Sequence, residues 1–508
     1  MEQFDVIVVG GGPGGSTAAT LIAMQGHSVL LLERERFPRY HIGESLLPAT
    51  VHGICGMLDV SEEIEKANFV VKRGGTLRWG KRPEPWTFAF GEAKYNNGRP
   101  AFAYQVERSK FDEILLRNAA KKGVDVREEH AVRNVIFEDG RAVGVNFVDD
   151  QKKEHVAKAK YVIDASGAVG LLANRIGDRI YDKFFRNLAL FGYFKNGKRF
   201  PEPERSGNII SAAFDEGWIW YIPLSAELTS VGTVVSMDHA SRIAELGREA
   251  SYVKYLNACP IIRDFLEPAT RVTEGDYGTL RILKDFSYLN TKFWTPGAVC
   301  IGDSACFIDP VFSSGVHLAT YSGLLAARSI NTCLRNELDE ESCFIEFEKR
   351  YRREYGVFYD FLLGFYEMHQ DENSYFWQAR KILDAEETAR EAFVRLVAGL
   401  SNLDEPLFSN ADEFIKSAKG RGQFLEKLSD AVSTGEMSDD LRSETARFGQ
   451  VFFRERKQLW DVPQKKQRGE QIFEENEAPI WENGLVPTRD GLHWRASPGK
   501  IAPSVSTP

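Results

Sequence analysis

The sequence has little of what builds a metal centre or a disulfide scaffold. Its 508 residues hold six cysteines, namely Cys55, Cys259, Cys300, Cys306, Cys333 and Cys343, and none forms a CxxC pair. Scattered cysteines of this kind read as free thiols in a reducing compartment. The nine histidines are dispersed and form no HExxH pair, so metal-ligand spacing is lacking and no metal is expected. A basic surplus is lacking too. Lys and Arg total 64 against 73 Asp and Glu, a net charge of −9. Nucleic-acid-binding proteins normally show the opposite imbalance, so no nucleic-acid partner is expected. The longest apolar stretch, near Phe358–Tyr366, is too short and broken to span a bilayer. Met1 leads almost at once into the apolar run Val6-Ile7-Val8-Val9, which fits no signal peptide. These absences predict a cytoplasmic protein with no membrane partner.

What is present is an ordinary globular composition, 43% hydrophobic and 27% charged, on a chain long enough for two or three domains. Residues 4–9 read as a buried parallel strand, 14–25 as a helix and Ser28–Leu32 as the next strand, a βαβ unit. Residues 40–70 look mainly helical. Strands and turns follow from about 76 to 106, then a helix over Phe111–Lys122. Val124–Val148 alternates like a meander turning at Asp139-Gly140, and Tyr161–Asp164 is a short buried strand. Residues 190–235 alternate again and suggest a second sheet covering a ligand. Ala298–Ile301 returns to a buried strand, followed by a glycine turn and a long helix to Leu334. Charged, aromatic helical segments run on to about 400, and a weakly patterned, proline-punctuated tail follows.

Gly10-Gly11-Gly12-Pro13-Gly14-Gly15 satisfies GxGxxG at Gly10, Gly12 and Gly15, after a strand and at the start of a helix. The first glycine permits the tight turn, the second lets a pyrophosphate approach, and the third lets helix and strand pack closely. A pyrophosphate there faces free N–H groups and the positive end of the helix dipole. Pro13 and Gly14 complete the turn, and Ser16 offers a hydroxyl donor. Glu33 ends the second strand, placed to accept from ribose hydroxyls. Arg34, Arg39 and Ser45 join the expected cofactor contacts. The turn alone does not separate FAD from a nicotinamide dinucleotide. Later segments do. Arg108 with Phe111-Asp112, and Cys300-Ile301-Gly302-Asp303-Ser304-Ala305, resemble motifs of the aromatic-hydroxylase flavoproteins. That likeness implies that Asp303 contacts the ribityl chain and that Gly302, Pro310 and Val316 line the cofactor.

Gly217-Trp218-Ile219-Trp220-Tyr221-Ile222-Pro223 resembles the G-W-x-W-x-I-P signature of flavin-dependent halogenases. Gly43-Glu44-Ser45-Leu46-Leu47-Pro48 and Pro310-Val311-Phe312-Ser313-Ser314-Gly315-Val316 are similar to that family as well. The likeness runs from residue 1 to about 380 and continues weakly at 482–487. It is strongest for the phenol-directed branch, the chondrochloren-type and cryptophycin-type halogenases, whose substrates are tyrosine-derived phenols.

The resemblance implies an α/β fold: a Rossmann-like FAD-binding domain of the glutathione-reductase and aromatic-hydroxylase type with an inserted β-sheet substrate domain. The discontinuous FAD-binding domain would span 1–338, the inserted sheet about 76–106 and 185–275, and a C-terminal helical region with a poorly patterned tail 339–508. It implies FAD used as FADH2, chloride and O2, and a separate NAD(P)H-dependent flavin reductase as partner. The substrate would be a phenol, free or tethered to a carrier protein. Reduced flavin and O2 would give a flavin hydroperoxide, and halide attack on it hypohalous acid. By the same resemblance Lys72 is the catalytic lysine, holding hypochlorous acid or forming a chloramine. Burial lowers a lysine pKa and favours the nucleophilic amine. Trp218 and Trp220, two apart and so on one strand face, would keep flavin and substrate separate. Ser314 and Gly315, at a helix start, would bind halide through N–H groups.

One departure bears on the substrate. Tryptophan halogenases place a glutamate two residues before the Ser314 position, and here that residue is Phe312. A phenol activates its own ring, so it needs less help from a second carboxylate. The competing reading is a flavin-dependent aromatic monooxygenase on the same fold, which would oxidise NAD(P)H unaided. The series Tyr351, Tyr355, Phe358, Tyr359, Leu362, Phe365 and Tyr366 has helical spacing and is expected to pack on the core.

Overall fold

The computed structural model describes residues 2–79, 85–90, 102–367, 479–481 and 483–496. Most of the region read as C-terminal helices and tail, and part of the 76–106 segment, lie outside the described residues.

The strand Glu2–Val9 has parallel partners on both sides, Val29–Leu32 and Glu154–Asp164. Asp125–Arg127 extends the sheet beyond the first, and Ala298–Cys300 beyond the second. Val6–Val9 and Val29–Leu32 are buried throughout, as central parallel strands covered on both faces must be. Each fully buried Val or Leu contributes about 1.5–3 kcal/mol. The hairpin Ala131–Glu138 and Arg141–Val148 pairs antiparallel with Glu154–Asp164. Its two turn residues, Asp139 and Gly140, both have positive φ, the geometry of a two-residue hairpin turn. Helix Pro13–Ala23 packs on this sheet and on the helix Ser314–Leu334.

A second sheet runs in the order Thr270–Arg271, Asn187–Lys195, Leu228–Ser236, Gly217–Pro223, Ile209–Phe214, Gly74–Arg78, Trp86–Ala89. All of Gly217–Pro223 is buried, because alternate side chains enter two different cores. Trp218, Trp220 and Ile222 join the large core shared with the first sheet. Ile219 and Tyr221 face the other way, onto Tyr252, Tyr255, Ile262 and Phe265. These last four lie on helices Arg248–Ala258 and Pro260–Leu266, which the sequence reading missed.

Three expectations need correction. Within 40–70, helix is confined to the consecutive turns Ala49–Ile54 and Cys55–Met57 and to Ser61–Lys66. Of the strands between 74 and 106, Ala103–Gln105 stays out of the second sheet and pairs instead with Val70–Lys72. Within the segment read as a poorly patterned tail, residues 483–496 carry two strands. Leu485–Pro487 and Trp494–Ala496 form a hairpin docked on the two long helices Ser314–Leu334 and Glu340–Glu367. Trp494 donates from Nε1 to Ser329 Oγ at 2.9 Å, and its ring lies 4.6 Å from the Arg328 guanidinium and 4.9 Å from that of Arg350.

Candidate active site

The glycine turn is braced from within. Gly10 takes φ +106°, and a Cβ there would lie 2.4 Å from the Ala165 carbonyl oxygen. A Cβ on Gly15 would meet the Gly10 oxygen at 2.0 Å, whereas one on Gly12 would meet only Arg39 Nη2 at 3.6 Å. The turn therefore closes on its own backbone at Gly10 and Gly15 and leaves open space in front of Gly12. Pro13 occupies the first helical turn with Gly12 as N-cap, where the leading N–H groups have no intrahelical acceptor. Glu33 accepts from Gly11 N–H at 2.7 Å and from Glu35 N–H at 2.9 Å. Its carboxylate thus holds the turn to the end of the second strand. Ser16 donates to the Gly11 carbonyl at 2.9 Å and is fully buried. Its hydroxyl braces the turn from within.

Lys72 ends the strand Val70–Lys72, and its side chain is only 2% exposed, whereas Val71 beside it is exposed. Nζ donates to Ser45 Oγ at 2.8 Å, to the Leu46 carbonyl at 3.0 Å and toward Ser313 Oγ at 3.4 Å. Phe90 covers it, with its ring centre 5.6 Å away. Among the described residues no carboxylate contacts Nζ. Burial without a counter-ion pushes the amine down to about 7, into the range where it is neutral or charged at physiological pH. This contact set brings together two segments far apart in sequence, the Gly43–Leu46 loop and the turn before the helix Ser314–Leu334.

That turn begins at Asp309, which accepts from Val311 N–H at 3.0 Å and starts the short helical turn Pro310–Phe312. Ser313 adopts the left-handed conformation, φ 60° and ψ 31°, and caps the helix. Ser314 and Gly315 are its first two residues, so their N–H groups lack intrahelical acceptors. Pro310 is half-buried, and Val316 is buried. The two indoles are 6.0 Å apart and both nearly inaccessible. Trp218 donates from Nε1 to Tyr366 Oη at 2.6 Å, and Trp220 to Ser230 Oγ at 3.2 Å. Ser230 lies beside Glu44, whose carboxyl burial pushes up to about 7 and which accepts from Tyr193 Oη at 2.8 Å. The Trp218 N–H is thus linked through the Tyr366 hydroxyl to Asp309, the buried carboxyl that opens the turn before Ser314.

A protein-family model described as tryptophan halogenase matches residues 5–99 and 94–434. The chain belongs to the tryptophan halogenase family. Among its relatives is a tryptophan 2-halogenase of Chondromyces crocatus, 36% identical over 438 residues, which span 83% of this chain and 80% of that protein. The solved structure of the myxobacterial chondrochloren halogenase, an FAD-dependent enzyme, is 53% identical with a TM-score of 0.76 and covers 97% of this chain and 100% of its own. A flavin-dependent brominase structure is 26% identical with a TM-score of 0.66, covering 83% and 99%. This halogenase is an FAD-dependent enzyme, and FAD, halide and O2 are its cofactor and co-substrates.

The residues present fit FAD. The space before Gly12 admits a pyrophosphate that a Cβ would exclude. The Asp303 carboxylate is half-buried and makes no hydrogen bond among the described residues, although burial pushes it up to about 6 against the pull of Arg108 and Arg179. A carboxyl so placed awaits an acceptor-seeking hydroxyl. Gly302 next to it has φ +58° and donates to Ser322 Oγ at 2.9 Å. Arg108 is locked to Asp112 at 2.7 Å and to the Ile42 carbonyl at 2.6 Å, so it shapes the Ile42–Gly43 backbone. Arg39 also pairs with Asp112, at 3.2 Å. Arg34 is exposed on the loop after Glu33. Sequence reading missed Ser313, Asp309 and Tyr366. The left-handed Ser313 had no sequence signal, and Tyr366 was indistinguishable from a core aromatic. No helix among the described residues is long and apolar enough to cross a membrane.

Proposed function

We propose that this halogenase chlorinates a phenolic, tyrosine-derived moiety in natural-product biosynthesis, with Lys72 as the catalytic residue. The observation that carries the reading is the Lys72 amine: buried, with no carboxylate on it among the described residues, lowered to about 7, and 3.4 Å from Ser313 Oγ at the head of the Ser314-Gly315 turn. Reduced FAD with O2 supplies the oxidising power that turns halide into hypohalous acid. Gly10, Gly12, Pro13, Gly14 and Gly15 would hold the pyrophosphate, with Glu33 bracing them. Arg34, Arg39, Ser45, Arg108, Gly302, Asp303, Pro310 and Val316 would shape the rest of the cofactor site, with Asp303 able to accept from ribityl hydroxyls.

Ser314 and Gly315 offer two N–H donors at the positive end of a 21-residue helix, a setting that favours an anion. Trp218 and Trp220 bar the substrate from direct contact with the cofactor. Lys72 as ammonium holds hypohalous acid by hydrogen bonding. As amine it takes the halogen onto nitrogen, losing one proton and releasing water. A pKa near neutrality keeps both forms accessible.

Phe312 supports the phenol, since no carboxylate stands where the tryptophan-directed enzymes have one. The likeness to the chondrochloren halogenase supports it too. The division into an FAD-binding part up to residue 338, with its inserted sheet, and a helical region from 339 belongs to the same reading. Flavin-dependent halogenases generally work with a separate flavin reductase. The test is product analysis with free and carrier-bound tyrosine, chloride and a generic reductase. A chlorinated product that disappears in Lys72→Ala supports the reading. Normal chlorination by that variant removes Lys72 from the mechanism.

A further inference from the structure

We infer that Tyr366 is a positioning residue that locks the Trp218 indole to the turn carrying Ser314 and Gly315, and so keeps oxidised halide on the path to substrate. The inference rests on the reading of Trp218 as barrier and of that turn as the halide site. Tyr366 lies near the end of the helix Glu340–Glu367. Its oxygen accepts the Trp218 N–H at 2.6 Å, and its own proton goes to Asp309 Oδ2 at 2.9 Å. The direction of this chain is fixed. An indole only donates and a carboxylate only accepts, so the phenol between them has one arrangement.

Asp309 is what makes the link specific. Its other oxygen takes Val311 N–H at 3.0 Å, which sets the start of the Pro310–Phe312 turn and hence the position of Ser313 beside Lys72. Asn187 Nδ2 approaches the shared oxygen at 3.3 Å. One carboxylate therefore ties the indole strand, the turn and the C-terminal helix together. Trp218, Asp309 and Tyr366 are at most 2% exposed, so water does not replace a lost link. Phe185 and Trp79 press edge-on against the Tyr366 ring at 5.2 and 5.7 Å, which leaves that ring little freedom. A hydroxyl needed only for packing would have served with any acceptor. This one uses the residue from which the halide turn is built.

The experiment is Tyr366→Phe in the full chain, loaded with FAD and supplied by a separate reductase. It compares halogenated product with released peroxide and hypohalite across halide concentrations. The ring remains, and the links to Trp218 and Asp309 go. Loss of one such buried link predicts about a tenfold rise in half-saturating halide or in the leaked fraction, with FAD affinity unchanged. Tyr359→Phe is the control. It removes another buried hydroxyl of the same helix, one that donates to Asp182 at 2.6 Å, and it should leave halide dependence at the wild-type value. Trp218→Phe alone should leak, and adding Tyr366→Phe to it should give less than the product of the two single effects. If Tyr366→Phe behaves as wild type while Trp218→Phe leaks, the positioning role is refuted and the barrier reading stands. If neither leaks, the barrier reading itself has failed. If Tyr366→Phe lowers only melting temperature or FAD affinity, the residue is structural and the inference is overturned.

Discussion

Replacing Lys72 by methionine should make the flavin-free protein more stable at neutral pH, not less. The amine sits at about 7 in the folded protein instead of the usual 10.5. A base held low in the folded state penalises folding wherever the unfolded chain would bind the proton. The penalty is complete below pH 7 and disappears as pH rises through 10.5. Linkage puts it at about 4 kcal/mol at pH 7 and about 2 kcal/mol at pH 9. Methionine keeps similar bulk and removes the charge. It also leaves Ser45 Oγ and the Leu46 carbonyl without their donor, costing about 1 kcal/mol each. The net gain is about 2 kcal/mol at pH 7, fading to near zero at pH 9. Urea unfolding at both values reads this directly as a shift in midpoint at constant slope. A variant destabilised at pH 7, or a difference that does not change with pH, would falsify the dry amine of lowered basicity. Confirmation would add that the same replacement abolishes halogenation, so that the reactive residue is kept at the expense of stability.

Other expectations follow from the same geometry. Gly12→Ala should fold with an unchanged melting temperature and lose FAD affinity by on the order of tenfold to a hundredfold, because its Cβ meets pyrophosphate and not protein. Gly15→Ala should instead lower the melting temperature of the flavin-free protein, since its Cβ falls 2.0 Å from the Gly10 oxygen; equal melting of the two variants would contradict the contrast. All six cysteines are buried and free, so a thiol reagent should label almost none under native conditions and all six in denaturant. Trp494→Ala should cost about 3–5 kcal/mol in urea unfolding as a large side chain leaves the core. A near-neutral result would mean that the 485–496 hairpin does not hold the long helices.

The parts legible in the sequence were those whose signal is local. A buried strand, a glycine turn and a helix start announce themselves within Val6–Gly15. The alternation Trp218, Trp220, Ile222 gave the strand and its shared face, though not the helices that cover the other face. Their apolar residues are interrupted by Arg, Glu, Lys and Asn, so Arg248–Ala258 shows only a weak amphipathic pattern. Lys72 shows the limit most clearly. Beside Arg73 it reads as a solvated cation, and its burial is set by strand pairing with Ala103–Gln105 and by the Ser45 loop. Tyr366 fails for a similar reason, because its partners Trp218 and Asp309 lie 148 and 57 positions away. The 485–496 hairpin was hidden because Arg328 and Arg350 bury its tryptophan by stacking, which leaves no apolar period to read.

The central claim is that the chain transfers halogen to a phenol through Lys72. The most direct measurement is mass spectrometry of a tyrosine-derived phenol, free or carrier-bound, after reaction with the FAD-loaded protein, a flavin reductase, NADH, O2 and chloride. The account predicts a product bearing the two-isotope signature of chlorine, dependent on chloride and absent from Lys72→Ala. A hydroxylated product formed equally well without halide, or a chlorinated product undiminished in Lys72→Ala, would contradict it.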